Sequence, residues 1–141
     1  MSAYKKIECE IVDKDCLLEA LHLLGFKPEI FNEPKNLTGY RGDQRKETAN
    51  IIIPRDQVNK FTGASNDIGF LWSEKDQKYD FILSDYDKAK LMDQRIIQAY
   101  VKVTIEKALA KNGFKIKVNI NDEEFLKRTI SEMEIVARKI I

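Results

Sequence analysis

The sequence predicts an α+β protein: an antiparallel or mixed sheet of about five to seven strands with two main helices packed on one face. Three observations predict it. From Tyr4 to Val12, Ile7, Cys9 and Ile11 face one way and Lys6, Glu8 and Glu10 the other, the period of two that half-buries a strand. Leu17, Leu18, Leu21 and Leu24 then recur at helical spacing until Gly25 ends the run. Finally, "EALHLLGFKPEI" from Glu19 and "EKALAKNGFKIKV" from Glu106 each close a helix on glycine and enter a strand through Phe and Lys. Two such helix-to-strand units suggest a pseudo-symmetric sheet covered on one face, as in ferredoxin-like folds.

The elements follow in order. One wet face on the first strand argues for antiparallel pairing. Asp13 or Asp15 caps the first helix by accepting from its free amides. Pro28 and Pro34 interrupt the next extended piece, and Ala49 to Ile53 reads as a short strand stopped by Pro54. Asp67 to Trp72 and Tyr79 to Leu83, joined by the polar "SEKDQK", form a hairpin. From about Lys90 to Asn112, Leu91, Ile96, Ile97, Tyr100, Val101, Ile105, Ala108 and Leu109 keep a helical period. The end of the chain is ambiguous: Asp122 onward fits a helix slightly better, and "EMEIVARKII" also reads as a strand.

With 141 residues, the chain is expected to form a single domain, 1–141, large enough for one core. Its 24 basic and 23 acidic side chains nearly cancel, so no whole-molecule field draws it to nucleic acid or to an anionic membrane. Cys9 and Cys16 lack CxxC spacing and read as reduced structural thiols. No signal-peptide core or membrane span is expected, which points to a soluble protein of a reducing compartment such as the cytoplasm.

Chemistry is sparse. The sequence holds no Ser-His-Asp order, P-loop, dinucleotide glycine fingerprint or HExxH, and no cofactor is expected. His22 lies among leucines with no second histidine, a packed or half-exposed helix residue. Asp67, Asp85 and Asp87 could converge on a metal ion, since hard cations need several oxygens; Asp67 is more simply a strand-entry turn residue and Gly69 a bulge or a close backbone approach. Trp72, Tyr79, Phe81 and Tyr86 could stack bases, with Arg41, Arg45 and Lys46 on phosphates; hairpin aromatics are more often cross-strand pairs, and the six basic and four acidic groups between Glu33 and Lys60 leave too small a surplus to drive binding. Gly39-Tyr40-Arg41-Gly42 is a turn rather than a phosphate loop, because no helix start follows it.

The order and spacing of "MSAYKKIECEI", "LLEALHLLGF", "GYRG" before "ANIII", "DIGF", "YDFILSDYD" and "RIIQAYVKV" before "KNGF" resembles a family of conserved hypothetical proteins of cyanobacteria and algal plastid genomes, over about Met1 to Val118. The resemblance implies a small α+β domain of unknown function with no catalytic residues to carry over, and, through gene neighbourhood, an AAA-type ATPase or a ferredoxin-like protein as partner. The chain departs from the family at Ser84 to Lys88, where a tryptophan-containing stretch is usual, and in its longer C-terminus. The sequence therefore points to a non-catalytic binding or adaptor domain acting through a protein partner. Tyr40, Arg41, Arg45, Asp67, Trp72 and Asp85 are its candidate binding residues. A single-stranded nucleic-acid-binding module and a small metal-assisted enzyme stand as alternatives.

Overall fold

The structure is a computed structural model and describes residues 3–111. The elements are β1 (Tyr4–Ile11), α1 (Lys14–Leu23), β2 (Glu29–Thr38), β3 (Gln44–Ile53), α2 (Arg55–Thr62), β4 (Ile68–Ser73), β5 (Lys78–Ser84), α3 (Asp85–Ala89) and α4 (Met92–Lys111). The five strands form one sheet in the order β1-β5-β4-β3-β2, antiparallel at every pairing. The α+β class holds, and of the two sheet types the sequence left open it is the antiparallel one. The strand expected after Asn112, and with it the second helix-to-strand unit, lies outside the described residues, as does the choice between helix and strand from Asp122 onward.

Alternation decides the main face. Ile51 and Ile53 of β3, Ile68 and Phe70 of β4, and Phe81 and Leu83 of β5 point to one side, where all are fully buried. Leu17 and Leu21 of α1 and Ile96, Tyr100 and Val103 of α4 cover them. Phe70 and Phe81 sit opposite one another across the ladder and stack with ring centroids 4.8 Å apart. The two helices are tied to the sheet's rim by Tyr100, whose hydroxyl accepts from the amides of Val12 and Asp13 at 3.1 Å each, and to each other by Lys107 and Glu19 at 3.0 Å.

The helix ends follow local rules. Asp13, not Asp15, caps α1 by accepting from Cys16 N at 2.9 Å. Gly25, at φ +87°, lets Phe26 N reach back to Leu21 O at 2.9 Å, and Phe26 turns into the core. His22 is an exposed residue of the last turn. Cys9 and Cys16 are free thiols, and burial pushes Cys9 up to about 11.

Three elements differ from the sequence expectation. The third strand begins at Gln44 rather than Ala49, because the β2–β3 ribbon runs on beyond the core, where no apolar alternation is needed. The α2 helix starts directly after Pro54, whose carbonyl accepts from Gln57 and Val58; only Val58 and Thr62 of it are buried, too few for a legible stripe. The helix expected from Lys90 is preceded by a separate short one, α3, with Ser84 as its cap and Leu91 at φ +63° breaking the path into α4.

The second face carries a smaller cluster: Leu37, Ala49, Ile52 and Ile82, with Tyr4, Phe31 and Leu71 packed on it. It exists because the β2–β3 hairpin curls over the sheet. Asn50 makes the bend possible: its Oδ1 accepts from Trp72 N at 2.9 Å where the β3–β4 ladder has stopped. The curl then requires Gly69, since a Cβ there would lie 2.7 Å from Ala49 Cβ and 2.9 Å from Leu37 Cδ2. Gly69 thus serves a close approach. Gly69→Ala is expected to destabilise the fold by about 2 kcal/mol through overpacking, read as a lower urea midpoint with an unchanged m-value.

Candidate binding depression

The curl brings the β2–β3 turn against the α2–β4 loop and the start of α3. Thr38 N donates to Asp67 Oδ2 at 2.8 Å, and Asp67 N donates back to Thr38 O at 2.9 Å. Asp67 Oδ1 accepts from Arg55 N at 2.7 Å, so one carboxylate clamps the end of β2 and the start of α2. The Tyr4 hydroxyl donates to Asp67 O at 2.8 Å, which anchors β1 to the same point.

Beyond the clamp, Gly39 N bonds Asp43 O at 2.8 Å and Gly42 N bonds Gly39 O at 2.9 Å. With Gly42 at φ +79°, this is the three-residue hairpin loop in which a turn is followed by a left-handed glycine. Gly39 lies under the Asp43 carboxylate, leaving no room for a side chain of its own: a Cβ there would stand 2.7 Å from Asp43 Oδ1. The loop pushes Tyr40 and Arg41 outward, and Tyr40 is 55% exposed. Its backbone is fixed from below, by Asn66 Oδ1 accepting from Tyr40 N at 2.8 Å and by Arg55 Nη1 donating to Tyr40 O at 2.5 Å.

Between this turn and the opposing loop lies a depression of about 460 Å³ lined by Tyr40, Arg41, Asp43, Arg45, Ala64, Asn66 and Tyr86. A buried polar floor supports it. Asp87, fully buried, accepts from Ser84 Oγ at 2.9 Å, from Thr62 Oγ1 at 3.2 Å and from Asn66 N at 3.4 Å. Thr62 Oγ1 also hydrogen-bonds Ser65 Oγ, and the Tyr86 hydroxyl donates to Thr62 O at 2.5 Å. The Arg45 guanidinium lies 5.0 Å over the Tyr4 ring, with Nη1 4.0 Å from Asp43 Oδ2.

Of the six residues the sequence singled out, Tyr40, Arg41 and Arg45 meet in this depression. Asp67 lies just beneath, its oxygens taken by two backbone amides. Asp85 pairs with Lys5 at 3.3 Å beside Tyr86. Trp72 is five residues along from Asp67, about 16 Å at strand rise, and packs edge-on against Tyr79, 4.9 Å between centroids. Phe81 and Tyr79 are core residues, so their rings are covered. Asp67, Asp85 and Asp87 each bind different partners, and among the described residues no three His, Cys, Asp or Glu side chains converge as a metal site. Asp43, Ala64 and Asn66 escaped the sequence reading. The signal for Asn66 was its place in "SND" before a strand, which marks a loop and says nothing of the loop it will face.

Burial raises the Asp67 carboxyl above the ordinary range, outweighing its two amide bonds and the charge of Arg55. A raised carboxyl contributes stability in full below the unfolded value of about 3.9 and loses it as pH rises through the folded value. Asp67→Asn keeps one acceptor and turns the other oxygen into a donor facing an amide, at a cost of about 2 kcal/mol. The deficit relative to wild type is expected to be larger at pH 4 than at pH 7 in paired urea titrations. The opposite trend would show that ionisation of Asp67 favours the fold.

The fold and the depression define a small α+β domain that presents a turn-borne Tyr-Arg pair beside a recess with a buried polar floor. The chain belongs to the family described as protein of unknown function (DUF1257), which matches residues 20–130. No curated protein and no solved structure matches the chain.

Proposed function

We propose that the protein is a non-catalytic binding or adaptor domain that holds a protein partner at this depression. The observation that carries the reading is the division of labour among its polar groups. Asp67 and Asp87 are saturated by backbone and hydroxyl donors and serve to hold the loops, whereas Tyr40 and Arg41 are displayed outward by a turn whose backbone is pinned at both ends. Aromatic and arginine side chains on a rigid support are the groups that dominate protein interfaces. An AAA-type ATPase or a ferredoxin-like protein, in the cytoplasm or a plastid stroma, is the partner class to look for first.

The test is affinity purification from the native source with wild-type protein and with a Tyr40→Ala/Arg41→Ala double variant. Both substitutions are on the surface and leave the loop's backbone bonds in place. A protein retained in stoichiometric amount by wild type and lost from the variant is the expected result. Retention of the same species by both proteins would remove the depression from the interface. Salt-dependent capture of single-stranded RNA or DNA, lost in Arg41→Ala/Arg45→Ala, would replace this reading with a nucleic-acid-binding one.

A further inference from the structure

We propose that the depression is a receptor for a carboxamide edge, an N–H donor beside a C=O acceptor, presented by the partner as a Gln or Asn side chain. The proposal rests on the binding-domain reading and names what that site recognises.

Two atoms carry it. Asn66 is 1% exposed, and its Oδ1 is committed to Tyr40 N at 2.8 Å, which fixes the orientation of the amide. Its Nδ2 is buried and has no hydrogen-bond partner among the described residues. Asp43 Oδ1 is likewise buried and without a hydrogen-bond partner among them. Both residues line the same depression. An orphan donor and an orphan acceptor in one recess are costly unless something fills them.

Charge then selects the ligand. A carboxylate or phosphate would satisfy Asn66 Nδ2 but meet Asp43 with like charge. An ammonium group would satisfy Asp43 but give Asn66 nothing to donate to, and would face Arg41 and Arg45. A neutral amide accepts from Asn66 with its oxygen and donates to Asp43 with its nitrogen. Arg45, 4.0 Å from Asp43 Oδ2, balances the Asp43 charge without covering Oδ1. The Tyr86 hydroxyl is spent on Thr62 O and Lys90 Nζ lies 5.6 Å from its ring centroid, so exposed Tyr40 supplies the main apolar wall for an aliphatic stem.

The probes are acetylated methylamides of glutamine, alanine and glutamate, together with uridine. They are titrated into the ¹⁵N-labelled full chain while the Asn66 side-chain NH₂ signals are followed. Fragments of this size reach Kd values of about millimolar at best. The glutamine probe is expected to shift the Asn66 amide and to bind at least about fivefold tighter than the glutamate probe. Because all three peptide probes carry the same main-chain amides, a glutamine probe tighter than both alanine and glutamate is the expected result, and equal binding of glutamine and alanine would overturn the proposal. In Asp43→Asn, which removes the charge and keeps the shape, the preference for glutamine over glutamate is expected to fall to about onefold.

Glutamate binding as tightly as glutamine to wild type, an unchanged preference in Asp43→Asn, or no probe moving Asn66 would overturn the carboxamide receptor. Uridine binding tighter than every peptide probe would overturn it in favour of a nucleobase. If the probes fail while partner capture still depends on Tyr40 and Arg41, the binding-domain reading stands without this ligand; if capture fails and the probes bind, the reverse holds.

Discussion

Phe81→Ala is expected to destabilise the protein by about 4 kcal/mol, a large share of a small domain's total. Phe81 is fully buried on the interior strand β5, paired with Ile7 of β1 on one side and Phe70 of β4 on the other. Its ring stacks on Phe70 at 4.8 Å. Truncation removes the transfer free energy of the ring and leaves a cavity that sheet and helices cannot close, because both neighbouring strands are held in register by their ladders. A urea melt following the Trp72 fluorescence measures the loss. Phe81→Leu, which refills part of the volume, is expected to recover more than half of it. Equal losses for the two variants would mean that the site does not depend on shape.

The second large effect is at Asp87. Asp87→Ala strips an acceptor from Ser84 Oγ, Thr62 Oγ1 and Asn66 N at once, in a place with no water-exposed surface. It also removes the reciprocal cap of α3, in which Asp87 N donates to Ser84 Oγ and Ser84 Oγ donates back to the carboxylate. The expected cost is about 3 kcal/mol, or roughly 10 °C in Tm. Asp87→Asn keeps one acceptor and is expected to cost about half as much. Because Asn66 N is one of the donors released, the Asn66 side-chain NH₂ signals should broaden in both variants while the signals of α1 and α4 stay sharp. A loss confined to α4 would place Asp87 in the helix layer rather than under the depression.

These two positions differ in how far the sequence exposes them. Phe81 announces its burial by alternation, since Tyr79, Phe81 and Leu83 recur every second residue beside charged Lys78 and Asp80. Asp87 reads as one more charge in "SDYDKAK", and only the capping pattern of Ser84 three residues earlier hints that its carboxylate turns inward. Gly69 was legible as a bulge or a close approach, but its neighbours Ala49 and Leu37 are 20 and 32 residues away and come to it through the curl of the hairpin. Of the candidate binding residues, Tyr40 and Arg41 were singled out because a turn between two strands must display something, and Arg45, in β3, for its charge alone. Trp72 and Asp67 carry the same chemical promise in the sequence, and packing commits the first to Tyr79 and the second to two backbone amides.

Local pattern was enough for the α+β class, the strand alternation, the glycine stop of α1 and the two-helix cover, because each depends on contacts between residues at most a few positions apart or on a period that repeats locally. Only the tertiary structure decided that the β2–β3 hairpin folds over the second face, that Asn66 and Asp43 meet in one recess, and that Asp87 lies beneath it. Those are pairings between distant segments. They are set by the register shift of β2 opposite Asn50, between Ile30 and Lys35, and by a missing side chain at Gly69, whose effect depends on where the rest of the sheet already stands.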